Sequence, residues 1–494
     1  MSALPAPNAA AWAEAVRRGD LDPLDGVRAA LARARQLDPG LNALLHLDAE
    51  GAEDAARALR ERLRRGEDPG PLAGVPLVVK NNIAVAGWKL TCGSRILGDF
   101  ASTFTATVVE RLRAAGAIPI AASNLDEFAM GASTENSAFG PARNPFRTDL
   151  VPGGSSGGSA VSVAAGYAPF ALGSETGGSV RQPASFCGLF GLKPTYGCLS
   201  RYGLVAFASS LDQIGVFGRG ARDLALAFDA AAGRDRADST TLAEPVEPCV
   251  PQLGRGVDGM RVGLLANSFA AGVEDTTQQR VRAAAEALRA AGARLAETQF
   301  PYEEAVVPTY YLLNTAEASS NLARFDGIRY GLRAEDARQL RDLYLRSRDA
   351  GFGPEVKRRI LLGTFSLSAG YYDQYFTAAL KARTLVVRAY LDLFRKFDLL
   401  LGATTPTPAF RLGEKSDDPV AMYLCDIFTC SANLGGVPAV NVPAGLGADG
   451  LPRGVQLTGR HRGEAALLRA AAVLEQALGG CPPLPQAAAR ALAA

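Results

Sequence analysis

The sequence predicts an α/β fold, one large domain with a mixed central β-sheet covered by helices on both faces. Three observations predict it. Short apolar runs of strand length alternate with amphipathic runs of helical period from about residue 74 to residue 401. Two glycine-serine loops, Gly153-Gly154-Ser155-Ser156-Gly157-Gly158-Ser159 and Gly173-Ser174-Glu175-Thr176-Gly177-Gly178-Ser179, fall at junctions between such runs, where α/β sheets offer free backbone N–H groups to ligands. No long Ser/Pro/Gly or charge-rich linker separates the motif-bearing segments. That continuity outweighs the soft prior of about 150 residues per domain, which alone suggests roughly three domains.

In chain order, apolar residues first recur at helical spacing between residues 7 and 65 (Val27, Leu31 and Ala34; Ala56, Leu59 and Leu63). Residues 1–70 therefore read as an N-terminal helical arm, broken at Asp38-Pro39-Gly40, and residues 71–494 as the main domain. That domain opens with Gly74-Val75-Pro76-Leu77-Val78-Val79-Lys80, an apolar strand ending on a lysine. Residues 104–115 read as a helix and 117–121 as the next strand. Residues 159–166 are small and apolar enough for a tightly packed helix, and 168–172 form a strand running into the second loop. A strand at 261–265, a helix at 276–291 and a strand at 398–401 continue the alternation. Residues 301–395 read as mostly helical, an insertion or lid, and an Ala-rich helix begins at Glu464.

With 48% hydrophobic and 21% charged residues and a formal charge of +2, the chain has the balance of an ordinary globular protein and no polyanion-binding footprint. The basic runs at 60–65 and 357–359 sit in helical contexts and read as solvated helix faces, so any RNA is expected to be held mainly by a partner. Seven scattered cysteines without a CxxC pair suggest reduced thiols rather than a disulfide framework or a zinc site. No basic region followed by an apolar stretch opens the chain, and no apolar run reaches about 18 residues. A cytoplasmic protein is expected, neither secreted nor membrane-spanning.

Only two histidines are present, yet the serine loops point to serine chemistry, and a serine hydroxyl needs a neighbouring base. Gly154-Ser155-Ser156-Gly157-Gly158 formally matches a GxSxG nucleophile elbow centred on Ser156. Its histidine partner would have to be His461, in a charged Gly459-Arg460-His461-Arg462 turn, because His46 lies upstream in the arm. A phosphate loop is contradicted by the lack of GxxxxGK[ST]. A flexible linker is contradicted by the apolar flanks Val151-Pro152 and Ala160-Val161-Ser162-Val163-Ala164.

Lys80 after its strand, Pro152-Gly153-Gly154-Ser155-Ser156-Gly157-Gly158-Ser159-Ala160 and Gly177-Gly178-Ser179-Val180-Arg181-Gln182-Pro183-Ala184 together resemble the amidase signature family. Residues 130–139, Lys193-Pro194-Thr195-Tyr196-Gly197 and residues 200–215 resemble one branch closely, the glutaminase (A) subunits of tRNA-dependent amidotransferases. The likeness runs on through residues 317–322, 327–331, 355–360 and 370–373 to Asn441-Val442-Pro443, nearly the whole chain after about residue 70. Asn81 and Glu175 depart from it, standing where the family commonly has aspartate.

The resemblance implies Ser179 as nucleophile, Ser155 as a bridging serine after a cis peptide, Lys80 as base, and an oxyanion hole at Thr176, Gly177 and Gly178. It implies Tyr310, Arg359 and Asp426 in a glutamine pocket, with Arg358 and Arg383 as alternative cations. It further implies a heterotrimer in which a B subunit binds ATP and the misacylated tRNA and a small C subunit braces the pair. No metal or cofactor is expected in this chain; ATP and magnesium are expected on the partner. The implied activity is ammonia release from glutamine for ATP-dependent amidation of Glu-tRNA(Gln), extending to Asp-tRNA(Asn). A free-standing amidase and an inactive scaffold are the alternatives. Physically, an exposed lysine has a pKa of about 10.4, so holding it neutral near pH 7.4 costs about 4 kcal/mol. Full burial can supply a depression of about 3–5 units.

Overall fold

Eleven short segments, most of them apolar, form the strands: β1 (Leu44–Leu47), β2 (Pro76–Lys80), β3 (Ile118–Ser123), β4 (Phe170–Glu175), β5 (Phe190–Lys193), β6 (Gln213–Gly218), β7 (Arg261–Leu265), β8 (Arg294–Thr298), β9 (Leu399–Ala403), β10 (Ala439–Leu446) and β11 (Pro452–Gly459). The computed structural model describes residues 8–484; residues 1–7 and 485–494 of the expected arm and main domain lie outside the described residues. The strands join in one sheet in the order β1-β3-β2-β4-β6-β5-β10-β11-β9-β7-β8. Pairing is parallel at β3/β2/β4 and at β9/β7/β8. It is antiparallel through the centre, from β4 to β6, β5, β10, β11 and β9, so the sheet is mixed, as expected.

Side chains alternate faces along each strand. Leu77, Val79, Leu172, Val216, Leu399 and Leu401 join one core with the helices Thr107–Ala114, Ala221–Ala231, Asp275–Ala290 and Glu464–Leu478. Val78, Ala171 and Phe217 face the other way, onto the helices Pro23–Leu41, Ala49–Arg64 and Gly157–Ala164. Leu400 and Ala439 meet a third core built by the helices Glu303–Asn321 and Ala378–Lys396. Each fully buried Leu or Val contributes about 1.5–3 kcal/mol to holding the layers together. Residues 301–395 contain helices and no strand. None of the described helices is long and apolar enough to cross a membrane.

Two expectations for the arm need correction. The helix Pro23–Leu41 runs through Pro39 instead of breaking at Asp38-Pro39-Gly40. Pro39 falls in the last turn, where Asn42 N still closes onto the Asp38 carbonyl at 2.7 Å and Ala43 N onto its carboxylate at 2.9 Å. The arm is also not helical throughout: Leu44–Leu47 pairs antiparallel with β3 as an edge strand, because a free edge of hydrogen-bonding groups overrides local propensity. His46 lies on that strand, its ring 5.1 Å from Trp88. Six of the seven cysteines are buried and all are free thiols.

Candidate active site

Strand β2 is buried along its whole length and delivers Lys80 at its C-terminal end, in register with Ser123 of β3. The lysine is fully buried. Its Nζ lies 2.8 Å from Ser155 Oγ, 2.7 Å from Ser156 Oγ and 3.3 Å from the Ser174 carbonyl. Burial pulls its pKa down to about 7, against the opposing pull of Asp126, Asp212 and Glu175. A neutral amine at that position can accept a proton from a hydroxyl, which an ammonium cannot.

The first glycine loop wraps this amine. Its Gly154–Ser155 peptide is cis. Gly154 N donates to Gln182 Oε1 at 3.0 Å, and Ser156 Oγ donates to the Ser174 carbonyl at 3.0 Å. Ser156 N donates to the Ser179 carbonyl at 3.2 Å, so the two loops touch. Lys80 and Ser155 are thus in direct contact, and the Ser179 backbone adjoins them through Ser156. Among the described residues no hydrogen bond joins Ser155 Oγ to Ser179 Oγ; such bonds often tighten only when substrate is bound.

The second loop leaves β4 at Glu175 and enters the helix Arg181–Phe186. Glu175 Oε2 accepts from the N–H groups of Val180 and Arg181 at 3.0 and 3.1 Å, and Oε1 takes the Arg181 guanidinium, with Nε at 2.8 Å. Both side chains are fully buried. Burial favours a neutral Glu175, but Arg181 outweighs it and holds the carboxyl below its usual range. Arg181 also reaches the Thr429 carbonyl at 2.9 Å and Asn433 Oδ1 at 2.6 Å. The longer acid is thus fully used where an aspartate was expected. Asn81 is equally settled, accepting from Thr91 N at 2.8 Å and Thr91 Oγ1 at 2.6 Å and donating to the Lys89 carbonyl at 2.7 Å. Thr176 Oγ1 donates to Asp212 at 2.7 Å, which in turn accepts from Phe207 N and Ala208 N.

Close approach explains Gly177 and Gly178. A Cβ on Gly177 would lie 2.6 Å from the Tyr310 hydroxyl, and one on Gly178 would lie 2.5 Å from Asp426 Oδ1. Tyr310 and Asp426, far apart in sequence, therefore both rest on the second loop. Asp426 Oδ1 is buried without a hydrogen-bond partner. Burial and then the nearby Glu175 push its carboxyl up to about 7, against Arg181 and Arg359. Arg359 is 3% exposed and gives its Nε to Glu355 at 2.7 Å. Burial opposes its charge, yet Tyr311, Glu355 and Tyr423 hold its pKa above the ordinary arginine value. Of the alternatives, Arg383 is engaged with the Leu434 carbonyl and with Ser210, and Arg358 is a half-exposed partner of Glu355. Arg358 and Arg359 line a 140 Å³ cavity together with Glu135, Lys415 and Tyr423.

Ser156 at the lysine, Asp212 behind Thr176, and Glu355, Tyr423 and Thr429 had no role legible in the sequence. Ser156 was visible only as the centre of an elbow whose histidine is missing; His461 is exposed in a turn, as expected. Asp212 and Glu355 lay inside family-like segments without a spacing that revealed their partners.

A desolvated lysine at a strand end, enclosed by two serine-bearing glycine loops on a mixed sheet, is an architecture for serine-based amide chemistry without histidine. The chain belongs to the amidase family, whose model (Amidase) matches residues 25–468. Within it the similarity narrows. The chain is 51% identical over 462 residues to the A subunit of the glutamyl-tRNA(Gln) amidotransferase of Gloeobacter violaceus, covering 94% of each chain. It is 50% identical over 441 residues to the protein of the same description from Koribacter versatilis, covering 89% of this chain and 92% of that one. The crystal structure of the A subunit of the glutamyl-tRNA(Gln) amidotransferase from Thermotoga maritima superposes with a TM-score of 0.77 at 39% identity, covering 93% of this chain and 94% of that one.

Proposed function

We propose that this chain is the glutamine-hydrolysing A subunit of a glutamyl-tRNA(Gln) amidotransferase. The observation that carries the reading is a partnerless buried carboxylate oxygen on Asp426, set against the second serine loop, together with a buried guanidinium on Arg359 whose charge reaches Asp426. An α-amino acid amide needs one anion for its ammonium and one cation for its carboxylate, and a plain amide needs neither. Similarity of about half over nine-tenths of the chain to proteins described as this component supports it over a free-standing amidase.

Neutral Lys80 takes a proton from Ser155, which takes one from Ser179 as its Oγ attacks the carboxamide carbon. The oxyanion forms against the N–H groups of Thr176, Gly177, Gly178 and Ser179, where one lost donor typically costs about 10²–10³ in rate. Reversal of the relay protonates departing ammonia, leaving a glutamyl ester on Ser179 that water hydrolyses. Tyr310 walls the pocket over Gly177. The ammonia serves ATP-dependent amidation of Glu-tRNA(Gln), and by extension of Asp-tRNA(Asn). A B subunit holds ATP, magnesium and most of the tRNA, and a small C subunit completes a cytoplasmic heterotrimer. In this reading residues 1–70 are an arm on the catalytic domain and residues 301–395 a helical cover that carries Tyr310 and Arg359.

Ammonia release from glutamine, measured for the lone chain and with partner subunits, ATP and Glu-tRNA(Gln), tests the reading. Stimulation by partners and charged tRNA is the expected result. Brisk hydrolysis of plain amides, indifferent to all of them, would establish a free-standing amidase instead, and no turnover of any amide an inactive scaffold.

A further inference from the structure

We infer that Glu355 is a positioning residue that aims the Arg359 fork at the α-carboxylate of the substrate, an inference that rests on the glutaminase reading above. Glu355 stands in the first turn of the helix Pro354–Ser366, one turn before Arg359, so the two side chains share a helix face. Its carboxylate is tightly held. Oε1 accepts from Arg359 Nε at 2.7 Å and from the Tyr423 hydroxyl at 3.2 Å, and Oε2 accepts from Arg358 Nη1.

With Nε engaged, Nη1 and Nη2 of Arg359 make no hydrogen bond among the described residues, although the side chain is only 3% exposed. The rings of Phe207, Tyr311 and Tyr423 lie 5.6, 5.2 and 5.6 Å from its Cζ, and Tyr311 and Tyr423 stack at 3.8 Å. Three rings surround the guanidinium, and Glu355 fixes its rotation by taking the Nε side. The two Nη groups then present the paired donors that match a carboxylate in bidentate geometry. Glu355 lines the same cavity, but its carboxylate is taken up by Arg359 Nε, the Tyr423 hydroxyl and Arg358, so its negative charge is balanced where the carboxylate enters.

An amide without an α-carboxylate makes no use of this fork, which separates a positioning role from a structural one. The test measures hydrolysis of glutamine and of propionamide by the purified chain with its partner subunits. Glu355→Ala is expected to raise KM for glutamine about 10–50-fold with kcat within about threefold, the signature of lost binding that is uniform to ground and transition states. For propionamide kcat/KM should stay within about twofold. In an Arg359→Met background Glu355→Ala should add no more than about twofold, because coupled residues are not additive. Should Glu355→Ala fail to fold, Glu355→Gln, which keeps the shape and an acceptor for Nε, is expected to show the same pattern at about 3–10-fold. Equal losses on both amides, additive losses with Arg359→Met, or an unchanged KM for glutamine would overturn the inference. A wild-type protein that turns over propionamide but not glutamine would instead overturn the glutaminase reading beneath it.

Discussion

Two lysines in this molecule occupy matching situations and meet different company. Lys80 ends β2 and Lys193 ends β5; both are fully buried, and burial pulls both pKa values down to about 7. Lys80 faces the hydroxyls of Ser155 and Ser156, whereas Lys193 Nζ donates to the carbonyl of Pro194 at 2.8 Å. A carbonyl has no proton to give. Desolvation therefore makes a base at either site, and only at Lys80 do the glycine-serine loops supply hydroxyls for the proposed relay. A depressed lysine pKa alone does not mark a catalytic centre.

Replacing each lysine in turn is the strongest way to break that contrast. Lys80→Met should lower glutamine hydrolysis about 10⁴-fold, the scale seen when one member of a catalytic unit is removed. Lys193→Met should stay within about threefold in rate, since an apolar side chain of similar volume often replaces a buried charge without loss. Ammonia release and thermal melting read both variants; equal losses would end the distinction.

Glu175 stands between the two, raising the pKa of each lysine while balancing Arg181. Glu175→Ala would leave that guanidinium buried and unpaired, and should cost about 3–5 kcal/mol in denaturant unfolding. An unchanged midpoint would show that Gln456, Asn433 and the Thr429 carbonyl suffice for Arg181.

A pH series sharpens the comparison further. In the proposed relay Lys80 is the neutral base, so kcat for glutamine should climb as pH rises through about 7 and then level off. Lys193→Met should leave that midpoint in place. Asp426, pushed up to about 7, must be ionised to hold an ammonium, so KM for glutamine should fall over the same range. Stability carries the matching sign. Both lysines titrate lower in the folded chain than their ordinary 10.5, so between about pH 7 and 10.5 the unfolded chain binds more protons and stability rises with pH. Lys193→Met should flatten that rise by its own share, the smallest of these effects.

Strand β7 matches its expected bounds, and the helix that follows lies within a residue of them at each end, because Val262, Leu264 and the apolar face of Asp275–Ala290 repeat with clear periods. Leu44–Leu47 was hidden because its strand character comes from the edge of β3, 70-odd residues later, and not from its own neighbours. The same asymmetry governs the site. The two serine loops are compact, glycine-marked motifs and could be read directly, whereas the roles of Lys80, Ser155 and Ser179, like Tyr310, Arg359 and Asp426, came from the resemblance. The shared feature of the last three, contact with the second glycine loop or with its surroundings, exists only after residues more than 100 positions apart are packed together. Glu355 was harder still, since an i, i+4 acid and arginine on a helix usually mark a solvated face, and only burial tells this pair apart.

The seven cysteines, six of them buried without disulfides, give the folded chain a property that its catalysis does not use. Burial pushes these thiols up, Cys481 to about 12, and alkylating reagents attack the thiolate. A native molecule at neutral pH should therefore react slowly with iodoacetamide, and each modified cysteine would record a moment when its surroundings opened. Cys187 ends the helix after the second loop, Cys425 and Cys430 flank Asp426, and Cys249 lies under the opposite layer. The order in which they acquire label would reveal, without any introduced probe, which layer of the molecule loosens first.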